Sequence, residues 1–287
     1  MSHIRRLASA TSLSTLLMLS ACGGANDTLI ASVGGGGPAG AGGAFIYQPF
    51  SAPTVDTQYD SALVIKTTDR FFSGDQVFGN IQYNAARATY TVGAFGFPLE
   101  DFPRENPAAP SPRDFYVGRG PAGSTGLTYT QFAYWFNNTP GVSGDYRAVL
   151  GVKTQRGDIP ATGTATYRQV AIQGTAYQSG GTNDGIYSIG NSKVSLSLDF
   201  ATVIASTRIE LIGTPRAGGA DVAFGIYTGA DNTFPLFREG VPGDFAGFWD
   251  VAFYGPRAQE YGLNFSINQR FNGVQINAAG IVAGTRN

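Results

Sequence analysis

The sequence predicts an all-β protein that ends in an eight-stranded antiparallel barrel. Three observations carry this expectation. Apolar and polar residues alternate with period two through successive segments of the second half, with turn residues between them. No 3.6-residue apolar repeat of useful length appears beyond residue 21. The composition combines 40 Gly, 14 Tyr and 20 Phe with only 14% charged residues, which suits short strands joined by tight turns. That aromatic mass also argues against disorder beyond residue 44.

Residues 1–21 have the three parts of a secretory signal. Arg5 and Arg6 form a positive start, and Leu13, Leu16, Leu17, Met18 and Leu19 form an apolar core too short to span a bilayer. Ser20 and Ala21 are the small residues before Cys22. Leu19-Ser20-Ala21-Cys22 resembles the lipobox of bacterial lipoproteins, which implies cleavage before Cys22 and acylation of its thiol. Two or three acyl chains hold a protein on a membrane stably, at about 0.8 kcal/mol per buried CH2. Gly23 follows, not the Asp associated with inner-membrane retention in such lipoproteins, and so fits outer-membrane sorting.

Cleavage would also restrict the chemistry. His3 is the single histidine, Met1 and Met18 are the two methionines, and Cys22 is the single cysteine. A chain starting at an acylated Cys22 has no Ser-His-Asp or Cys-His catalysis and no zinc site of His or Cys. Tyr would be the one common axial haem ligand left. Without Arg5 and Arg6, 17 basic residues stand against 20 acidic ones. A net charge of −3 with no basic stripe argues against nucleic-acid binding.

Residues 22–58 read as a Gly-rich tether, with Gly34 to Gly37 in one run. Strand signals begin near Ser61, at Leu63-Val64-Ile65, Val77 to Tyr83 and Ala88 to Val92. Residues 96–113 hold five prolines and read as a long exposed loop, either a contact surface or a variable insertion. Leu127 to Phe136 reads as a strand with aromatics on both faces, Tyr129 and Trp135 on one and Phe132, Tyr134 and Phe136 on the other.

Eight barrel strands are expected at 161–168, 170–177, 192–200, 202–211, 220–228, 243–254, 261–269 and 273–283. Val194, Leu196, Leu198 and Phe200 alternate with Lys193, Ser195, Ser197 and Asp199. Phe245, Gly247, Trp249, Val251 and Phe253 read as one face of a later strand. The polar outer faces indicate a water-soluble barrel, not a porin, and closure removes edge strands.

Two stretches resemble the transferrin-binding protein B family, including its smaller solute-binding lipoproteins. They are Pro160-Ala161-Thr162-Gly163-Thr164-Ala165-Thr166-Tyr167 and Phe253-Tyr254-Gly255-Pro256-Arg257-Ala258-Gln259-Glu260-Tyr261-Gly262, the latter running into Leu263-Asn264-Phe265-Ser266. Leu198-Asp199-Phe200-Ala201 is similar to the family's Asp-Phe strand end. The resemblance implies a handle-like antiparallel sheet over 59–156 and a soluble eight-stranded barrel over 157–287, a single lobe. It also implies a non-enzymatic lipoprotein, monomeric and lipid-anchored in the outer membrane, at its surface in the best-known members. Its ligand would be an extracellular protein or solute, with iron or haem acquisition as the process. The competing reading is a structural or assembly lipoprotein of the envelope without a diffusible ligand.

Cys22 is the one assigned site residue, for lipidation. No catalytic residue, metal ligand or cofactor is assigned, and the ligand-binding residues stay unassigned. Partner contacts are expected at the loop 96–113 or at loops near 178–191 and 229–242. Phe234 and Phe237 are candidate anchors there, but burial in the core is the favoured reading for both. Glu260 reads as a cap on its own turn through backbone N–H groups, the alternative being a ligand or catalytic acid. Glu100-Asp101 reads as solvated loop charge, not a paired acid and base.

Overall fold

In the computed structural model, residues 47, 49–51, 53–67, 76–94, 100–118, 126–138, 143–230, 235–241 and 245–287 are described. They form two antiparallel β-bodies. The first contains β1 (Thr57–Thr67), β2 (Gln76–Asn84), β3 (Thr89–Ala94), β4 (Glu100–Pro103), β5 (Tyr116–Val117), β6 (Thr130–Asn137) and β7 (Gly144–Gly151). Their spatial order is β4-β3-β2-β1-β7-β6-β5. This sheet bends until its edges meet. Arg104 and Phe115 bridge the ends of β4 and β5, and the Phe115 N–H donates to the Pro103 carbonyl at 2.6 Å.

The bend encloses an aromatic column. Tyr83, Tyr90, Phe115, Trp135 and Tyr146 follow one another at centroid separations of 4.9, 4.2, 4.9 and 5.2 Å. The Lys66 ammonium lies 5.8 Å above the Tyr146 ring at the end of the column. Stacked and tilted rings of this kind contribute about 0.5–1.5 kcal/mol per pair beyond burial. The aromatic richness of this segment is thus its core.

The second body is a closed barrel. Its wall is β8 (Thr164–Ser179), β10 (Lys193–Asp199), β11 (Ile204–Pro215), β12 (Val222–Ala230), β13 (Pro235–Arg238), β14 (Phe245–Tyr254), β15 (Glu260–Phe271) and β16 (Val274–Arg286). Each neighbour pair is antiparallel, and pairing of β10 with β8 closes the ring. The short β9 (Gly185–Ser188) pairs with the ends of β8 and β11. The interior is filled by side chains, among them Tyr167, Leu196, Ile209, Tyr227, Trp249 and Phe265. Lys193, Ser195, Ser197 and Arg208 face outward as the alternation requires.

The expected number of barrel strands is found, but their membership differs. The segments 161–168 and 170–177 are one 16-residue strand, β8. A bulge shifts its register between Arg168 and Ala171, where Gln169 pairs with Gly284 and Ala171 with Ala283. The bulge reverses the phase of the side chains, so Tyr167 and Ile172 both point inward. The remaining wall strand is β13, four residues long and starting with Pro, inside the expected loop 229–242. The loop expected over 96–113 contains the edge strand β4. There Pro103 pairs with Thr89 at the sheet edge, where a missing N–H is tolerated.

The curved sheet lies against the outside of the barrel. Leu63, Ile65, Phe132 and Val149 pack on Ala171, Ala252, Tyr254, Ala279, Ile281 and Ala283. The barrel side of this contact is made mostly of small residues. Gly262 is a point of close approach: a Cβ there would lie 2.6 Å from Val149 Cγ1. Tyr47, Phe50 and Pro53, read from sequence within the tether, belong to the same packed body. The Tyr47 hydroxyl accepts the Gln155 N–H at 2.7 Å, and the Phe50 N–H donates to the Thr128 carbonyl.

Asp250 is buried under this contact, on the same wall face as Ala252 and Tyr254. One carboxylate oxygen accepts the Val251 N–H at 2.7 Å, while Oδ2 has no hydrogen-bond partner among the described residues. Burial pushes its pKa up to about 7, opposed by that N–H. Between about pH 4 and 7 the folded state therefore holds a proton that the unfolded chain releases. The stabilisation is complete below pH 4, declines as pH rises and is gone above 7. Denaturant titrations from pH 4 to 8 should show wild-type stability falling relative to Asp250→Asn by an amount on the order of a few kcal/mol. Parallel profiles would refute this.

Candidate functional site

The turn Gly255-Pro256-Arg257-Ala258 between β14 and β15 has a specific local reason. Gly255 has φ +72°, Arg257 and Ala258 also lie in the left-handed region, and Pro256 opens a single 3-10 turn. The turn is pressed against the first body. A Cβ on Gly255 would overlap the ring of Tyr129. The Gly255 N–H donates to the Val152 carbonyl at 2.7 Å, and the Thr154 hydroxyl donates to the Gly255 carbonyl at 2.7 Å.

Glu260 completes this joint. Its Oε1 accepts the Thr128 N–H at 2.5 Å and its Oε2 accepts the Tyr129 N–H at 2.9 Å. The expectation that it binds backbone N–H groups is met, but the groups belong to the entry of β6 and not to its own turn. Burial raises its pKa, and these N–H donors oppose the rise. With both oxygens engaged inside the protein, the carboxylate is structural. Tyr129 is correspondingly packed towards the barrel with Phe132, not on the Trp135 face. It precedes β6, where strand alternation does not yet apply.

The candidate partner loops sort differently. Cys22 and Phe234 lie outside the described residues. Asp101 accepts a hydrogen bond from the Thr91 hydroxyl and lies 3.6 Å from Arg87 on the surface. Phe237 is exposed, at 38% of its full area, and so is not a core residue. It is joined by Phe245 at 48% and Phe248 at 50%. The rings of Phe237 and Phe245 are 6.3 Å apart, and those of Phe245 and Phe248 are 5.0 Å apart, both edge-to-face.

The outward position of Phe245 corrects the sequence expectation that placed it with Trp249. Leu236 pairs with Gly247 but Phe237 pairs with Phe245, so Ala246 is the extra residue of a bulge. The phase reverses there, Ala246 turns inward and Phe245 joins Phe248 outside. Around these rings the surface is charged. Arg208 and Glu239, both exposed, form an ion pair at 3.2 Å. Three exposed phenylalanines in mutual contact beside an exposed ion pair have the make-up of a protein contact surface. Phe245 and Phe248 were missed because alternation alone assigned one to the core and passed over the other.

Among the described residues there is no His, Cys or Met, and no group of three or more metal-binding side chains. No family model and no curated protein matches the chain. Solved structures similar to it include transferrin-binding protein B of Neisseria meningitidis, with 18% identity and a TM-score of 0.39 over 82% of this chain and 44% of that one. Transferrin-binding protein B of Haemophilus parasuis gives 14%, 0.40, 81% and 45%. The N-lobe of lactoferrin-binding protein B of Moraxella bovis gives 10%, 0.37, 80% and 99%. The chain thus spans less than half the length of the two transferrin-binding proteins. The single-lobe plan implied by the sequence motifs, one handle-like sheet and one barrel, is the plan observed.

Glu260→Gln places an amide NH2 against a backbone N–H and should destabilise by about 1–3 kcal/mol. A thermal melt should show a lower midpoint, with the affinity for any ligand unchanged. Lost binding at unchanged stability would instead make Glu260 a ligand residue.

Proposed function

We propose that this chain is a non-enzymatic lipoprotein of the outer membrane, held by acylated Cys22 and exposed at the cell surface, where it binds an extracellular protein. The observation that carries the reading is the phenylalanine surface of Phe237, Phe245 and Phe248 on an otherwise polar barrel wall. Fully burying a Phe side chain is worth about 1.5–3 kcal/mol, so covering what these three half-exposed rings still show to water would favour association with a partner. The lipobox at Leu19–Cys22 supports the location. The motif resemblance at 160–167 and 253–266 makes iron- and haem-carrier proteins the first partners to assay. On this reading the barrel is the scaffold and the β13–β14 region is its contact surface.

Detergent partitioning of cells expressing Cys22→Ser should move the protein from the membrane phase to the soluble or unprocessed pool. Unchanged partitioning would remove the anchor. Co-elution with transferrin, lactoferrin and haemoglobin should identify a partner whose affinity falls about tenfold or more in Phe237→Ser/Phe245→Ser/Phe248→Ser. Equal affinity in that variant would place the contact elsewhere.

A further inference from the structure

The face of the curved sheet that closes on the barrel also opens away from it. In β6, Phe132 lies in the contact, and Tyr134 and Phe136 follow on the same face, half-buried. Beyond the contact the two bodies diverge and leave a cleft of about 600 Å³. This volume suits a small organic ligand.

The two walls differ in kind. The wall on the curved sheet is aromatic, made by Tyr116, Tyr134 and Phe136. Tyr116 and Tyr134 are cross-strand partners, with rings 6.0 Å apart and inclined by 39°. They stand side by side on one wall and do not face each other across the cleft. Their hydroxyls are engaged within the protein. Tyr116 donates to the Ser111 carbonyl at 2.7 Å, and Tyr134 donates to Asp145 at 2.9 Å. These bonds hold the rings in position before any ligand arrives.

The wall on the barrel is polar. Ile172 turns its side chain into the barrel, so β8 shows its backbone there together with half-buried Gln173 and Gly174. Exposed Ser188 and Gly190 continue this wall. The charge of Arg147, which also lines the cleft, is offset by Asp145 two positions earlier on the same face of β7. The other lining residues are uncharged. A planar aromatic ligand has two apolar faces, and one of them would cover amide, hydroxyl and backbone groups without bonding to them, which is costly. A pyranose ring has an apolar C–H face and a rim of hydroxyls. It matches one aromatic wall and one polar wall.

We propose that this cleft binds a neutral saccharide, with its C–H face against Tyr116 and Tyr134 and its hydroxyls towards Gln173, Ser188 and the barrel backbone. This site is separate from the phenylalanine surface and does not depend on it.

The test is saturation-transfer NMR on the purified protein with methyl β-glucoside, methyl β-galactoside, cellobiose, maltose, lactose and diacetylchitobiose. At least one saccharide should bind saturably, with its strongest signals from the C–H protons of one ring face. Tyr116→Ser and Gln173→Met should each weaken it about fivefold or more, Gln173→Met at an unchanged melting temperature. Phe237→Ser/Phe245→Ser/Phe248→Ser should bind it as the wild type does. Binding by none of the six, full affinity in either cleft variant, or loss of binding in the phenylalanine variant would each overturn the proposal. So would tighter binding of the neutral aromatic N-phenyl-1-naphthylamine that Tyr116→Ser abolishes. If Tyr116→Ser does not fold, Gln173→Met decides.

Discussion

A single buried carboxylate sets how the two bodies of this protein meet. Glu260 starts β15 of the barrel and holds the N–H groups of Thr128 and Tyr129, which lead into β6 of the other sheet. A carboxylate in such a place is costly unless its lone pairs are satisfied, and here the satisfying groups come from a segment about 130 residues earlier. The geometry around it leaves little freedom. The Tyr129 ring fills the space above Gly255, and Val149 fills the space above Gly262. Larger residues at either glycine would separate the bodies. Because β6 and β7 are hydrogen-bonded along their whole length, fixing the entry to β6 also fixes Tyr134, Phe136 and Arg147 opposite the barrel.

The sequence was legible wherever side chains alternate without interruption. β10 and β11 follow their patterns residue by residue, because each lies with one face in the core and one in water. The reading lost accuracy at bulges. One extra residue near Val170 reverses the phase of β8 and makes one long strand look like two. A similar irregularity at Ala246 turns Phe245 outward. A bulge has no residue signature of its own; it is defined by the partner strand, which a linear reading does not contain. Short strands were hidden for a different reason. β4 and β13 have four residues each and include Pro, so neither shows two full periods of alternation. The strand β7 has Ala148, Val149 and Leu150 buried in succession, covered on both faces by the two bodies, and so lacks the alternation that marked its neighbours.

The candidate residues divide along the same line. Phe237 was favoured as a core residue over an anchor, and the structure leaves it exposed instead. Its companions Phe245 and Phe248 could be found only once strand phase and register were known. Glu260 was legible as a carboxylate that binds backbone N–H groups, since it follows a Gly-Pro turn, but its partners come from another body.

The joint also fixes the space between the two bodies. A cleft whose walls belong to two bodies keeps its shape only if the bodies do not move. Here the contact is packed, lined largely by small residues on the barrel side and pinned by Glu260, so that the walls are held in place. The phenylalanine surface has no such need, since Phe237, Phe245 and Phe248 stand on paired strands of one closed sheet. A change at the joint should therefore act on the cleft and leave the barrel surface as it was. The two surfaces differ in chemistry and also in the part of the fold that holds them in position.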